Sequence, residues 1–302
     1  MVKTKVLFVI NQKAGQQSNL KIHEIIIKHA IKYDYEVDFY EMGTNHHALE
    51  IKKSIDLFKP DIVGAVGGDG TVNLVSGIIQ KTNISLLIIP YGSANGMAKE
   101  LQIPENLPAC LDLIIKGKTI EIDLLKVNEE ISIHLADVGL NASIVKRFQL
   151  DKKRGLLTYG KHLFAEIFII KRKRFTIFYD DQTKKVSAVS LTFANATMYG
   201  TGAVINPDGK LNDGLFEICI VKPFPKYLVF NIAYQMFRNK LKTSKYFEVI
   251  KCTKAKVICK RRTLLQVDGE VLGKVKEIEL TCLPKVLKVI ILANLNHPTI
   301  VN

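Results

Sequence analysis

The stretch DIVGAVGGDGTVNLVSGI, residues 61–78, begins as an apolar run without alternation, as in a strand covered on both faces. From Val72 to Gln80 the apolar positions take helical spacing. Between the two stand Gly67, Gly68 and Gly70 around Asp69. Glycines there let a ligand approach the main chain, and the following helix offers unpaired N–H groups and the positive end of its dipole. This order predicts an anion site, with phosphate as the obvious anion. Read alone, the same residues also describe a tight turn in which Asp69 caps the helix. An aspartate beside phosphates repels them unless a divalent cation neutralises both, which favours Asp69 as a direct or water-mediated magnesium contact. The dinucleotide fingerprint does not fit, because Asn73 stands where it needs glycine. Nor does a Walker A loop, since the one G-K-T, Gly117 to Thr119, has Asp112 at that motif's first glycine.

Outward from this stretch the pattern repeats. KVLFVI is followed by a helical pattern from Asn19 to Lys32, EVDFYEM by one from Ala48 to Phe58, and SLLIIP by a short helix near Met97. Buried strands alternating with helices predict βαβ units on a parallel sheet, a doubly wound α/β domain over residues 1–124. Ligands of such sheets gather where the strands end, and NQKAG, GGDGT and PYGSANG all fall at that edge. After about Lys126 the texture becomes period-two alternation, in KRFTIFYD, VSAVSLTFANAT, LFEICIV, KYFEVIKC and TLLQVDGEVLG, with NPDG and DG as turns. A β-rich second domain over residues 125–302 is expected, interrupted by helices at Leu156 to Lys171 and Tyr227 to Leu241. The final strand, VLKVIILANL, fits either domain.

At 302 residues the chain accommodates two cores, since a single core stops growing at roughly 250–300 residues. An apolar share of 47% argues against disorder. No apolar run approaches the ~20 residues of a membrane-spanning helix. The short apolar core behind MVKTK reads as a first strand and not as a signal peptide. Five cysteines without a C-x-x-C pair read as buried thiols of a cytoplasmic protein. Asn83, Asn141 and Asn195 open N-x-[ST] patterns that carry no meaning without export. The formal charge of +14 gathers in ten Lys or Arg between Lys146 and Arg174 and in KCTKAKVICKRR. Such patches attract polyanions; no nucleic-acid-binding signature stands beside them, which argues against nucleic acid, and charge alone does not choose between an anionic membrane surface and a solvated basic face without a dedicated partner.

GGDGTVN, with INQKAG, Thr44 ahead of HHALE, PYGSANGMAKEL, NPDGKLNDGLFEI and VDGE, resembles the diacylglycerol kinase catalytic-domain family. That family includes bacterial diacylglycerol kinases, YegS-like lipid kinases, and sphingosine and ceramide kinases. The resemblance runs over essentially the whole chain. It implies an N-terminal nucleotide-binding α/β domain, a C-terminal β-sandwich and an active site in the cleft between them, with ATP and magnesium as cofactors. Carried over position by position, Asn11, Thr44, Gly67, Gly68, Asp69, Gly70, Thr71, Val72, Asn73, Ser93 and Asn95 contact ATP. Asp123 matches an acidic active-site position. Asp213, with the main-chain carbonyls of Lys210 and Leu215, matches a structural magnesium loop. Glu270 matches the general base, with Asp268 beside it. Without the resemblance, VDGE reads as an ordinary hairpin turn, Asp213 as a turn aspartate and Asp123 as the exposed end of a strand.

One departure bears on the substrate. Many bacterial members carry aspartate in the third loop, G-T-x-N-D-F-A, where this chain has Gly96 in GSANGMA; the sphingosine-kinase-like branch also lacks it. The expected activity is ATP-dependent phosphorylation of a hydroxyl of diacylglycerol or a related lipid, such as a sphingoid base. Peripheral contact with the inner face of the membrane and a homodimer accompany that expectation. Its rivals are a soluble kinase of the NAD-kinase type and a regulator that binds nucleotide or lipid without turnover.

Overall fold

The computed structural model describes residues 3–11, 19–43, 47–139, 172–294 and 299–301. Thr44, most of the first loop, the expected helix Leu156 to Lys171 and most of the basic segment from Lys146 lie outside them. Met1–Ile122 with Lys285–His297 form one compact unit, and Asp123–Pro284 with Pro298–Asn302 form a second.

The first unit is a parallel sheet with helices. Its strands are β1 (Lys5–Asn11), β2 (Glu36–Met42), β3 (Ile62–Gly67), β4 (Ser85–Pro90) and the end of β14 (Glu270–Leu292). They lie in the order β2-β1-β3-β4-β14, every pair parallel. All of β3 is buried, as its unbroken apolar run requires, while β2 alternates as an edge strand and turns Glu36, Asp38 and Glu41 to solvent. β1 lies between β2 and β3, so the strand order reverses between β1 and β3, the kind of switch point beside which such sheets bind ligands.

The helices are α1 (Asn19–Tyr33), α2 (His47–Phe58), α3 (Asp69–Ile79), α4 (Gly96–Glu100) and α5 (Leu107–Lys116). α3 buries Val72, Val75 and Ile79, a stripe worth roughly 1.5–3 kcal/mol for each side chain fully removed from water. It starts three residues earlier than its apolar spacing suggests. Gly68 is the N-cap, and its carbonyl accepts from both Thr71 N and Val72 N. Asp69 therefore stands inside the first turn and is not the cap. α5 is a helix not expected above, although Leu107, Cys110 and Leu111 keep helical spacing; its start is also marked, since Asn106 accepts from Ala109 N and Pro108 occupies the first turn.

The second unit is antiparallel. It contains β5 (Gly117–Val127) from Asp123 onward, β6 (Glu130–Ser132), β7 (Leu135–Gly139), β8 (Lys173–Tyr179), β9 (Gln182–Ala188), β10 (Ser190–Ala194), β11 (Phe216–Val221), β12 (Phe247–Cys252), β13 (Lys254–Val267) and β14 as far as Pro284. β13 pairs with β8 through Ala255–Cys259 and with β7 through Leu265–Val267. Its register against β14 shifts between Ile258 and Thr263, where the strand changes neighbours. Phe175, Phe193 and Phe216 lie in one buried cluster with Ile177, Leu191 and Ile218. All five cysteines are free and buried, and burial pushes Cys110, Cys252 and Cys282 up to about 12, which keeps them neutral.

The expected helix from Tyr227 to Leu241 is shorter. It consists of a 3-10 turn, Lys226–Leu228, and α6 (Val229–Phe237), closed by Asn239 at φ 53. Among the described residues no helix is long and apolar enough to cross a membrane.

Candidate functional site

The glycine loop is built by close approach of two main chains. A Cβ on Gly67 would lie 2.4 Å from Thr71 Oγ1, and one on Gly92 would lie 2.4 Å from Gly68 Cα. Gly68 and Gly92 let the loop after β3 meet the loop after β4, and Gly67 leaves room for the Thr71 side chain of its own segment, before any ligand is considered. Asn95, left-handed at φ 50 and ψ 50, locks the second loop: its Oδ1 accepts from Gly92 N and its Nδ2 donates to Gly92 O, each at 2.9 Å. Asn11, at the end of β1, donates to Thr71 Oγ1 at 3.1 Å. Three strand ends are thereby tied together, which brings Asn11, the Gly67–Asn73 segment and Asn95 to one edge, with Ser93 exposed at the loop tip.

The N–H groups of Asp69 and Gly70, in the first turn of α3, have no acceptor within the helix. Asp69 Oδ1 accepts from Met97 N at a long 3.4 Å, and Oδ2 has no hydrogen bond among the described residues. Asn73 Oδ1 is buried and also without a partner among them. Gly67, Asp69, Val72, Pro90 and Asn95 border a narrow recess at this edge.

In the second unit Asp123 is fully buried, which corrects the reading of an exposed strand end. Its Oδ2 accepts from Gly214 N at 2.7 Å, and its own N–H donates to Leu211 O. The Asn212-Asp213-Gly214 turn is thus pinned to β5, with Gly214 at φ +76 and Asp213 Oδ1 accepting from Leu215 N at 3.1 Å. Around it lie buried polar residues whose part only the fold reveals. Asn195 Nδ2 donates to Asp123 O, and Asn206 Nδ2 donates to Glu217 Oε2, both at 2.7 Å. Glu217 also pairs with Lys251 at 2.9 Å, while burial raises its carboxyl pKa. Asn195 opened an N-x-[ST] pattern; its side chain is an interior strut.

VDGE is a two-residue hairpin turn, as its bare sequence suggested. Val267 pairs with Glu270 across Asp268 at φ 44 and Gly269 at φ 86, the primed geometry that suits twisted strands. Asp268 does more than turn the chain. Its carboxylate accepts from Ser132 Oγ and from the N–H groups of Ile133, His134 and Leu135, at 2.7–3.2 Å. Burial raises its pKa, against the lowering effect of His134 and these donors. On the other side Gly269 N donates to Gln266 Oε1, and Gln266 in turn donates to buried Asp137. The turn is held from both sides, and Glu270 projects beyond it, exposed. Asp268 and Asp123 belong to one network, because His134 O accepts from Asn195 N.

The donors suit magnesium by type. Asp213, the carbonyls of Lys210 and Leu215, and the buried amide oxygens of Asn195 and Asn206, which find no donor among the described residues, are all hard oxygens. Among the described residues no three carboxylate, imidazole or thiol groups gather to hold a metal, so a cation here would need water to complete its shell.

Residues 5–127 match the diacylglycerol kinase catalytic domain, and residues 135–291 match the YegS C-terminal NAD kinase β-sandwich-like domain. A diacylglycerol kinase of Staphylococcus saprophyticus is 31% identical over 166 residues, covering 54% of this chain and 54% of that protein, so the match spans about half the relative's length. A diacylglycerol kinase of Bacillus subtilis is 24% identical over 275 residues, covering 89% and 90% of the two chains. A crystal structure of a diacylglycerol kinase from Bacillus anthracis has the same fold, with a TM-score of 0.78 at 21% identity over 95% of this chain and 96% of that one.

Proposed function

The chain belongs to the diacylglycerol kinase and YegS-like family of lipid kinases, and from that premise we propose that it transfers the γ-phosphate of ATP to a hydroxyl of diacylglycerol or a related lipid. The observation that carries the reading is the glycine loop, where two main chains meet and the start of α3 leaves N–H groups without a helical acceptor at the strand ends. Those groups hold ATP phosphates, with Thr71 oriented by Asn11 and the neighbouring loop held by Asn95. Magnesium, when bound, neutralises phosphate charge; Asp69 is the residue proposed to hold it, directly or through water. Glu270 is the proposed base for the lipid hydroxyl proton, and its exposure leaves it open to a substrate. Asp268 is a positioning residue, because four donors already occupy its carboxylate. Asp123 acts likewise, by fixing the Lys210–Leu215 loop that would hold a second magnesium.

The test is incubation of the protein with labelled ATP, magnesium and a total lipid extract, with NAD as the competing acceptor. Labelled lipid that disappears in folded Glu270→Gln and Asp69→Asn variants supports the proposal. Labelled NADP with no labelled lipid would replace it with the NAD-kinase reading, and bound ATP without any transfer would leave a regulator.

A further inference from the structure

The second unit carries an exposed aromatic stripe. The 3-10 turn and α6 turn Tyr227, Phe230, Tyr234 and Phe237 outward, at 79%, 66%, 59% and 52% exposure. Phe230, Tyr234 and Phe237 follow the i, i+4, i+7 spacing of one helix face. Val229 and Ile232 face the core instead, and Asn231 and Gln235, hydrogen-bonded at 2.7 Å, occupy the polar side. Aromatic side chains span roughly 150–250 Å² each, so the stripe exposes on the order of 400–600 Å², as much as the largest patch on an ordinary monomer.

The charge around the stripe selects its partner. Residues 222–246 contain six Lys or Arg and no Asp or Glu. Lys222 pairs with Glu248 and Lys242 with Asp208. Arg238, Lys240 and Lys245 are exposed and have no carboxylate within ion-pair distance among the described residues. Aromatic rings settle at the headgroup level of a bilayer, and cations beside them meet lipid phosphates. The same face of a second copy presents the same cations and, over residues 222–246, no Asp or Glu to match them, so two such faces repel each other.

We infer that the turn Lys226–Leu228 and α6 form a membrane-docking surface, which seats its aromatic stripe in the interface of an anionic bilayer and sets Arg238, Lys240 and Lys245 on lipid phosphates. The lipid-kinase reading supplies the purpose of this surface, but the surface is tested without phosphoryl transfer. The chain has no tryptophan, so Tyr234→Trp in the full chain is a single fluorescent reporter. Vesicles of phosphatidylcholine with phosphatidylglycerol should shift its emission to the blue, and brominated acyl chains should quench it; phosphatidylcholine alone should do neither strongly.

In cosedimentation the Tyr227→Ser/Tyr234→Ser/Phe237→Ser variant should bind the anionic vesicles about tenfold less, with its unfolding temperature and its activity on a water-soluble short-chain diacylglycerol unchanged. The assignment fails if the wild type ignores anionic vesicles, if the triple variant binds them equally, or if the reporter stays in water on vesicles that bind the protein. It fails too if sedimentation velocity finds a dimer that the triple variant loses. Vesicle binding through this face by a protein that phosphorylates no lipid removes the kinase reading and leaves the surface standing.

Discussion

Asp268 and Glu270 stand two residues apart and face opposite tests. Asp268→Asn replaces one acceptor oxygen by a donor among three N–H groups and a hydroxyl, and should cost about 2–4 kcal/mol in denaturant unfolding. Glu270→Gln, on an exposed side chain, should stay within about 0.5 kcal/mol of wild type, so that a loss of phosphoryl transfer there reports chemistry and not unfolding. Gly92→Ala forces a methyl to 2.4 Å from Gly68 Cα and 2.8 Å from Asn95 Oδ1, and should lower stability by about 1–3 kcal/mol. Gly77→Ala, in α3 with nothing within 4 Å, should raise it by about 0.5–1 kcal/mol. Equal unfolding midpoints for the two glycine variants would contradict the close approach described. The glycine cluster was legible as a cluster from the chain. That Gly68 also admits a second loop was not, because Gly92 is 24 residues from it.

Helices and strands were legible wherever local spacing sets burial. β1 to β4, β8, β11 and β12 follow their expected runs, VSAVSLTFANAT is divided between β9 and β10, and α1 and α2 follow their stripes within one residue. The differences occur where ends are set by single contacts. α3 starts at Asp69 because the Gly68 carbonyl accepts early, and α5 exists through its Asn106 cap on a short apolar segment. The loop after β4 depends on Asn95 in the same way. Asn95→Gly keeps the left-handed backbone but loses both bonds to Gly92, whereas Asn95→Ala loses the bonds and strains the backbone as well. Thermal unfolding should therefore rank wild type above Asn95→Gly and Asn95→Gly above Asn95→Ala, with ATP affinity falling in both; an alanine variant as stable as the glycine one would speak against the turn's role.

For the whole molecule, buried carboxyl groups set the pH response. Burial raises Glu217, and Lys251 with Asn206 opposes it without prevailing; Asp268 is raised for the same reason. The folded chain then holds these protons more tightly than the unfolded chain. Their contribution is complete below an ordinary carboxyl pKa of about 4 and is lost as the pH rises through the raised values. Glu217→Gln removes that loss, and Lys251, 42% exposed, remains solvated. The unfolding temperature of Glu217→Gln minus that of wild type should grow as pH rises from about 4, and a difference that shrinks would reverse the sign assigned here. Two kinds of information meet in this chain. Apolar periodicity, glycine spacing and motif order are local, because burial and turn geometry act on neighbouring residues; they carry the two-part fold, the phosphate loop and the family. The struts Asn195, Asn206, Glu217 and Gln266, the positioning role of Asp268 and the outward aromatic face of α6 depend on contacts between distant strands. No pattern in the chain marks a buried amide or an unused helix face, since whether a side chain is covered is decided only once the strands around it have packed.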